Sequence, residues 1–491
     1  MGIVLNKVLV RGGWLPSVGD ISIERIIARN LIGSNTGNAV YLNSISRLFD
    51  ANDVTLEVDG YRPERGLVGA AEIARINEEY DAYIVPLADA FRDTFRKELR
   101  NLTGFFKKLK IPCIIAGVGR RASYEPNPEL ENPYDDEVRG FLKAALEKSA
   151  LVGLRGELTA RYVERLGFRE DEDFMVIGCP SMFTLGGNLT QRSLNLDESS
   201  RLSVNFHGGV NDVQMRFLQG LVEEYPGSQF VPQDIFDLKL NYLAQPIDRE
   251  LPDSYPIAIG HKLYRNNQVR MYLHPDAWMD GLAEFDLSIG VRLHGNVSAL
   301  LAGTPAVFLP NASRTRELCE YHCFPHVPIA SIDEKTTLED ILERVDLQSH
   351  LKVHPDRYAR YQRFLKANGL PYDCPTGRHS GGAEEFVVSG IADISVEDLA
   401  KRWSVFNNEI LAAKTENLKT KLNQERSLSA SRKKRIDGLK KENKLLQEKL
   451  LAAPAKKQID KLKADNKQLN RQLNRKSVKI ALSLANRLPK K

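Results

Sequence analysis

Short apolar runs alternate with amphipathic stretches along the first 185 residues. Runs this apolar are typical of strands that are covered on both faces. The alternation predicts a parallel α/β sheet with right-handed crossover connections. The predicted strands are 81–86, 111–119, 151–155 and 174–178, and the clearest predicted helices are 136–149 and 156–167.

A second series of the same kind begins after residue 200. Polar, turn-rich residues over 181–200 separate the two series, which favours a domain boundary there. We therefore expect two similar α/β domains, 1–190 and 200–380, with a ligand cleft at the carboxyl ends of their strands. The predicted strands of the second domain are 202–206, 228–232, 255–260, 285–291 and 305–310, and its clearest helices are 213–225 and 296–303.

The pattern becomes helical beyond residue 380, which predicts a helical extension over 385–491. Residues 391–414 are amphipathic and are expected to pack on the core. Two heptad-like stretches follow, each with an Asn at an inner position, which is typical of a coiled-coil seam. A long solvated helix without a partner is the alternative. The inner positions are Ile436, Leu439, Asn443, Leu446 and Leu450, then Ile459, Leu462, Asn466, Leu469 and Leu473, with a helix-breaking Pro454 between them.

Charge is distributed unevenly along the chain. Residues 416–491 contain 23 Lys and Arg against 7 Asp and Glu, a net charge of +16, while the whole chain carries +5 and the remainder therefore −11. An acidic body argues against nucleic acid as the main partner. The basic tail suits an anionic membrane surface or another polyanion, or is simply a solvated helix. Residues 477–491 mix apolar and basic side chains and suit either a membrane surface or a plain helix end.

The cysteine content indicates a reducing compartment. Five cysteines are few and irregularly spaced, so we expect no disulfide framework. The first residues lack the layout of a signal peptide, and no window approaches the ~20 apolar residues of a membrane span. These features predict a cytoplasmic protein, at most peripheral to the inner face of the membrane.

The segment 285–318 carries the most informative chemistry. It is expected to form strand, turn, helix, strand, loop and helix, with Arg292, His294 and Gly295 where the first helix begins. Free N–H groups and the helix dipole favour an anion there. Arg292 can bind a phosphate or carboxylate bidentately, and His294 can move a proton near neutral pH. The turn therefore predicts a site for a small, highly charged anion.

Three further side chains are expected at the same cleft. Ser313 and Arg314 follow the next predicted strand, at the cleft's mouth. His207 follows the strand at 202–206, so it is a candidate acceptor-site or acid–base residue, or else a residue that caps a turn.

These motifs resemble the polysaccharide pyruvyl transferase family. The RLHG turn (292–295), the GTPAVFLP segment (303–310) and the Arg-containing loop after it are similar to that family. So are three earlier segments in the same order: IGSNTGNA (32–39), LVGLRGELTARYVERLG (151–167) and VIGCPSM (176–182). The resemblance spans about residues 30–330.

The resemblance implies two Rossmann-like domains, as in GT-B glycosyltransferases, with the acceptor side in the first and the donor side in the second. It implies that phosphoenolpyruvate is the donor, that no metal or other cofactor is required, and that the product is a ketal on a sugar or lipid-linked oligosaccharide. The pathway would make exopolysaccharide, capsule or another cell-surface glycan.

The resemblance also assigns roles to individual residues. It places Arg292 and His294 in the donor site, with His294 as the candidate general acid, and suggests that Arg155, with Arg314 as a weaker match, contacts the donor. Asn35 and Asn38 lie in the loop that matches the family's Asn-x-Gly-Asp. Asn38 replaces the Asp, and an amide cannot act as a base.

Two other functions are compatible with the same sequence. A GT-B nucleotide-sugar glycosyltransferase would usually need a carboxylate for the ribose, and 285–318 offers only Asp286 and Glu317. A non-catalytic assembly protein would act through the coiled coil of the tail.

Three other patterns in the sequence are weaker indications of a functional site. Asp171-Glu172-Asp173 is interpreted as a solvated acidic turn rather than a metal site. The group Cys319, His322, Cys323 and His326 is too compressed for a tetrahedral zinc site and is interpreted as a buried helix end. Gly117 and Gly119 precede Arg120 and Arg121, either of which is a candidate contact to the acceptor.

Overall fold

The computed structural model describes residues 5–16, 21–50, 53–127, 129–374, 384–452, 463–468 and 470–471. Contacts divide the chain into two compact units, Met1–Ile410 and Leu411–Lys491. Both large sheets lie in the first unit.

The first sheet is parallel, with strand order β2-β1-β3-β4, and a bridge between Val118 and Leu154 connects it to the parallel pair β5-β6. Alternate side chains of its central strands enter two different hydrophobic clusters, Ile84 and Ile114 one and Tyr83 and Ile115 the other. Both faces are therefore buried, as the apolar runs predict. The strands are β1 Lys7–Val10, β2 Thr55–Val58, β3 Ala82–Pro86, β4 Cys113–Ala116, β5 Val152–Leu154 and β6 Phe174–Val176. The helices are α1 Ile23–Arg29, α2 Gly37–Ser46, α3 Ala70–Glu79, α4 Arg96–Phe106, α5 Asp135–Leu146 and α6 Glu157–Arg165.

The second sheet is also parallel, with order β11-β10-β7-β8, and β9 pairs antiparallel with β12. The strands are β7 Leu202–Asn205, β8 Gln229–Phe230, β9 Met271–Tyr272, β10 Leu287–Gly290, β11 Ala306–Phe308 and β12 Val387–Val388. The helices are α7 Asp212–Glu224, α8 Ile235–Leu243, α9 Lys262–Arg265, α10 Pro275–Leu282, α11 Leu293–Leu301, α12 Ser313–His322, α13 Leu338–Leu342, α14 Ser349–Ala367 and α15 Val396–Ala452. The predicted α/β class with two Rossmann-like sheets is confirmed.

One predicted strand is wrong. Residues 255–260 form turns instead of a strand. Tyr255 is buried, and its hydroxyl donates a hydrogen bond to Oδ1 of Asp237 over 2.9 Å. Ile257 and Ile259 are 45% and 38% exposed, so the apolar run does not enter the core. The helix predicted over 296–303 begins earlier, at Leu293.

Helix α14 returns from the second half of the unit to pack against the first sheet. Arg360 donates to the carbonyl of Val176 over 2.8 Å. Asn368, which follows the helix, accepts from the N–H of Ala150 and donates to the carbonyl of Leu151. Helix α14 thus ties the two halves of the unit together.

The start of α15 packs on the core, as predicted for 391–414. Trp403 donates its indole N–H to the carbonyl of Leu243 over 2.9 Å, and Phe406 is buried in a hydrophobic cluster. Across the described parts of the chain, the structure has no helix with the length and apolarity that a membrane crossing needs. All five cysteines are free thiols.

In the second unit, Ile436 is buried, and Asn443 donates to Asn470, which donates to Asn466. Inner-position asparagines of the two heptad stretches therefore belong to one network within the chain. Self-association through a coiled coil stays a prediction. Pro454, Ile459, Leu462, Leu469, Leu473, 477–491 and the side chains of Leu446 and Leu450 lie outside what the structure describes.

Candidate functional site

A cavity of about 1000 Å³ lies among the loops that follow the carboxyl ends of β3, β7, β8, β10 and β11. This is the edge at which ligands bind in parallel α/β folds. Its lining carries six cationic side chains against three carboxylates, a surplus of three positive charges. The cations are Arg92, Arg121, Lys239, Arg249, Arg292 and Arg314, and the carboxylates are Asp89, Asp234 and Asp248.

Arg292 caps the N-terminus of α11 and lines the cavity. Its backbone N–H donates to Oδ1 of Asn205 over 2.7 Å, and its guanidinium forms an ion pair with Asp234. Burial, with the nearby guanidinium groups of Arg314 and Arg121, lowers the pKa of Arg292 to about 9. Arg292 therefore remains protonated at neutral pH and is available to an anion.

Arg314 lies in the first turn of α12 and also lines the cavity. It forms an ion pair with Asp89 over 3.3 Å, and Asp89 is also paired with Arg92 over 2.5 Å. Burial raises the pKa of the Asp89 carboxyl, but Arg314, Arg92 and Arg121 outweigh it and hold that pKa below its usual value. Asp89 is therefore an ionised carboxylate within a cluster of arginines.

His294 lies in the first turn of α11. Its Nε2 is 3.7 Å from Sγ of Cys179, and its ring stacks on Tyr41 at a centroid separation of 6.4 Å. A Cβ atom at Gly37 would lie 2.5 Å from its Nδ1, so only glycine permits this approach of α2. Burial, followed by the positive charges of Arg155 and Arg314, lowers the pKa of His294 well below its ordinary value.

His207 lines the same cavity. Its Nδ1 accepts a hydrogen bond from the N–H of Gly209 over 2.8 Å, and its Nε2 is 3.2 Å from Nδ2 of Asn311. Burial, together with Arg292, Arg314 and Arg121, lowers its pKa well below the ordinary value. His207 thus both stabilises a turn and lines the site.

The two asparagines of the 32–39 loop also line the cavity. Asn35 donates to Oδ1 of Asp234 over 3.1 Å and accepts from the N–H of Gly37 over 2.8 Å. Asn38 donates to the carbonyls of Ile32 and Gly33. Asn38 therefore shapes the loop, while Asn35 orients the carboxylate that pairs with Arg292.

Three residues predicted for the site lie outside the cavity lining. Arg155 is fully buried; its Nε donates to the carbonyl of Gly117 over 2.8 Å, and its two terminal nitrogens have no hydrogen-bond partner among the residues that the structure describes. Ser313 is buried and bonds to the backbone of Ala122. A Cβ atom at Gly295 would lie 2.8 Å from Nε2 of Gln233, so this glycine serves packing.

The two patterns that resemble metal ligands have other contacts. Asp171 pairs with Arg360, and Glu172 with Arg169. Cys319 is buried, and His322 accepts a hydrogen bond from the N–H of Cys179 over 2.9 Å. Within the described ranges, no group of three or more His, Cys, Asp or Glu side chains is arranged to hold a metal ion.

Sequence reasoning missed the carboxylates that organise the arginines. Asp89 and Arg92 lie in the loop after β3, and Asp234 lies in the loop after β8. Their position after the carboxyl end of a predicted strand was an available indication.

The chain matches a known family of transferases. A model of the polysaccharide pyruvyl transferase family matches residues 35–313, more than half of the 491-residue chain. The chain is a member of the polysaccharide pyruvyl transferase family.

More distant structural similarities also exist. The UDP complex of S. aureus MnaA is 14% identical, with coverage of 73% of this chain and 95% of that chain and a TM-score of 0.39. A complex of Methanocaldococcus jannaschii UDP-GlcNAc 2-epimerase with UDP-GlcNAc and UDP is 10% identical, with coverage of 73% and 100% and a TM-score of 0.34. Both similarities are too weak to bear on function. No curated protein matches the chain significantly.

Proposed function

We propose that this protein transfers the pyruvyl group of phosphoenolpyruvate onto two hydroxyls of a sugar, forming a cyclic ketal. The observation that carries the proposal is the convergence of Arg292, Arg314 and His294 on one cavity with surplus positive charge. Membership of the family supports the reaction class. No metal or other cofactor takes part in the proposed reaction.

The reaction needs cations and one group that moves protons. A proton adds to the methylene carbon of the donor, which leaves positive character on C2, and a sugar hydroxyl attacks C2 and loses its proton. A second hydroxyl then displaces the phosphate. The net products are a methyl-bearing ketal and inorganic phosphate, so atoms and charge balance.

The cavity provides these functions on one wall. Arg292 and Arg314 are placed to bind the donor's phosphate and carboxylate, and preorganised cations of this kind stabilise the charge that develops on the leaving phosphate. His294 is the candidate acid for the methylene carbon.

The acceptor, a sugar or lipid-linked oligosaccharide of a cell-surface glycan, is proposed to bind in the same cavity beside the donor. Arg121 and His207 also line this cavity. A smaller side cavity of about 190 Å³, with Tyr61 and Arg65 in its lining, shares Asn38 and Asp89 with the main one. An acceptor ring in this side cavity would reach the donor past Asp89.

Turnover with phosphoenolpyruvate and a panel of glycans, including lipid-linked oligosaccharides, tests the proposal. We expect acceptor-dependent phosphate release, a mass gain of one pyruvyl ketal on the glycan, and loss of both in His294→Ala. Stabilisation of the protein by a sugar nucleotide, without any effect of phosphoenolpyruvate on stability or turnover, would favour a nucleotide-sugar glycosyltransferase instead.

A further inference from the structure

We propose that His294 is neutral before the donor binds and that donor binding causes its imidazole to take up the catalytic proton. This inference rests on the proposed function, because the charge that drives it belongs to phosphoenolpyruvate. The proton comes from solvent, and the base that receives it is the same imidazole that delivers it to the methylene carbon.

The position of His294 disfavours a positive charge in the empty site. It lies in the first turn of α11, and its Nδ1 abuts Gly37, the first residue of α2. The N-termini of both helices carry partial positive charge, which repels an imidazolium.

The side chains around His294 add to this effect. Arg155 lies behind it, and Arg314 lies on the cavity side. Two further neighbours of the imidazole are Tyr41 of α2 and the thiol of Cys179. Burial raises the pKa of Tyr41 above its usual range, so its hydroxyl carries no negative charge at neutral pH.

Two carboxylates of the cavity lining, Asp234 and Asp89, already form ion pairs with arginines. Asp234 is paired with Arg292, and Asp89 with Arg314 and Arg92. Neither forms an ion pair or hydrogen bond with the imidazole within the described chain. Among the described residues, the site without donor therefore offers no carboxylate that would hold a proton on His294.

The donor changes this balance. Its phosphate, with a second pKa of about 6, and its carboxylate together carry close to three negative charges at pH 7.5. The lining holds a surplus of three positive charges. Binding therefore neutralises the field that kept His294 deprotonated, and favours its charged form.

His207 is the other histidine of the cavity, but it is a poorer acceptor of this proton. The lone pair of its Nδ1 already accepts the N–H of Gly209 over 2.8 Å. The Nδ1 atom of His294 has no such bond in the described structure. We therefore assign the proton to His294.

Calorimetric titration of the full-length protein with phosphoenolpyruvate tests this assignment. Titrations at pH 7.5 in buffers of different ionisation enthalpy give the number of protons taken up per donor bound. We expect roughly half a proton or more for the wild type and for His207→Asn, and close to none for His294→Asn. At this pH the donor is itself almost fully ionised, so it contributes little.

Donor binding without proton uptake, or equal uptake in His294→Asn, would overturn the inference while leaving the proposed function intact. Absence of donor binding in the wild type would overturn both. Should His294→Asn fail to bind, ¹⁵N imidazole spectra of the wild-type protein decide the matter. The two nitrogen shifts of one histidine should converge toward the imidazolium value on donor addition, and unchanged spectra would refute the proposal.

Discussion

The cavity wall and the layer of side chains behind it both contain arginines, but their surroundings differ. On the wall, Arg292 and Arg314 are paired with Asp234 and Asp89. In the layer behind, Arg155 is fully buried and forms no ion pair with a described residue. The wall therefore presents partly neutralised cations that can exchange a carboxylate partner for a donor anion, whereas Arg155 acts on the site through its charge and its packing against Tyr41.

The buried layer also joins the two halves of the first unit. Glu317 of α12 accepts hydrogen bonds from the N–H and the hydroxyl of Thr159, both over 2.9 Å, and so satisfies the N-terminus of α6. In the same helix, Ser313 bonds to Ala122. The wall thus recognises ligand, while the layer fixes the relative position of the helices that build the wall.

The largest expected effect is a loss of donor affinity when an arginine of the cavity wall is replaced. Replacing Arg292 by Met removes a bidentate partner of the donor and leaves Asp234 unpaired, so we expect donor affinity to fall about a thousandfold, or about 4 kcal/mol. Calorimetry with phosphoenolpyruvate measures this. Arg169→Met, which removes an exposed arginine paired with Glu172, is the matched control and should bind normally. Equal donor affinities of the two variants would show that Arg292 contributes no more to donor binding than an exposed arginine.

The next effect is on stability and belongs to the buried layer. Burial raises the pKa of Glu317 to about 7, although its bonds from Thr159 oppose the rise. Because the folded pKa lies above the ordinary value of about 4.3, the wild type loses about 3 kcal/mol of stability as pH rises from about 4.5 to 7. Glu317→Gln removes this loss.

Urea unfolding of both proteins at pH 4.5, 6 and 7.5 checks the sign. The stability of the wild type relative to Glu317→Gln should decrease steadily as pH rises. A difference that is constant with pH would show that the pKa of Glu317 is the same in the folded and unfolded protein, and that the layer is more polar than the structure indicates.

A smaller effect, on the rate of pyruvyl transfer, is expected at Gly37, where α2 contacts His294. A methyl group at Gly37 would overlap Nδ1 of His294, so Gly37→Ala should displace the imidazole and lower pyruvyl transfer about tenfold. In Gly140→Ala, the added Cβ meets no atom within 4 Å, which makes it the control. Initial rates of phosphate release compare them. Full activity of Gly37→Ala would argue against a fixed catalytic position for His294.

The smallest effect is expected for Arg155, and it is the most informative. Arg155→Met loses one hydrogen bond to Gly117 but also removes a buried charge, so stability should change by only about 1 kcal/mol. Donor affinity should change less than about threefold, because Arg155 does not line the cavity and so makes no direct contact with the donor. A loss of donor affinity as large as that of Arg292→Met would mean that Arg155 contacts the donor, as the family resemblance implies. The distinction between the arginines of the wall and the buried arginine would then not hold.

The sequence predicted most strands of the two large sheets, because a continuous apolar run is a strong pattern, but it missed β1, which is also buried on both faces. It also missed β2, whose residues alternate between exposed and half-buried at the edge of the sheet. It placed a strand at 255–260, since apolar composition alone does not reveal that Ile257 and Ile259 face solvent. Patterns of hydrophobicity therefore identify most of the buried strands, but they do not show which apolar runs lie at the surface.

The site shows a similar limit. Arg292, His294 and Arg314 were found because they follow strands and begin helices, and local order along the chain defines such positions. The burial of Arg155 and Ser313 depends on which way a side chain points after distant segments pack together. The pairing of Arg292 with Asp234 joins two separate loops, and no local pattern encodes it.

The central claim is that the cationic wall holds phosphoenolpyruvate with His294 beside its methylene carbon. A crystal structure of the protein with phosphoenolpyruvate, in the absence of acceptor, tests it most directly. We predict that Arg292 and Arg314 bind the phosphate and carboxylate and that His294 faces the methylene carbon. A donor bound against Arg155, or outside the cavity, would contradict the account.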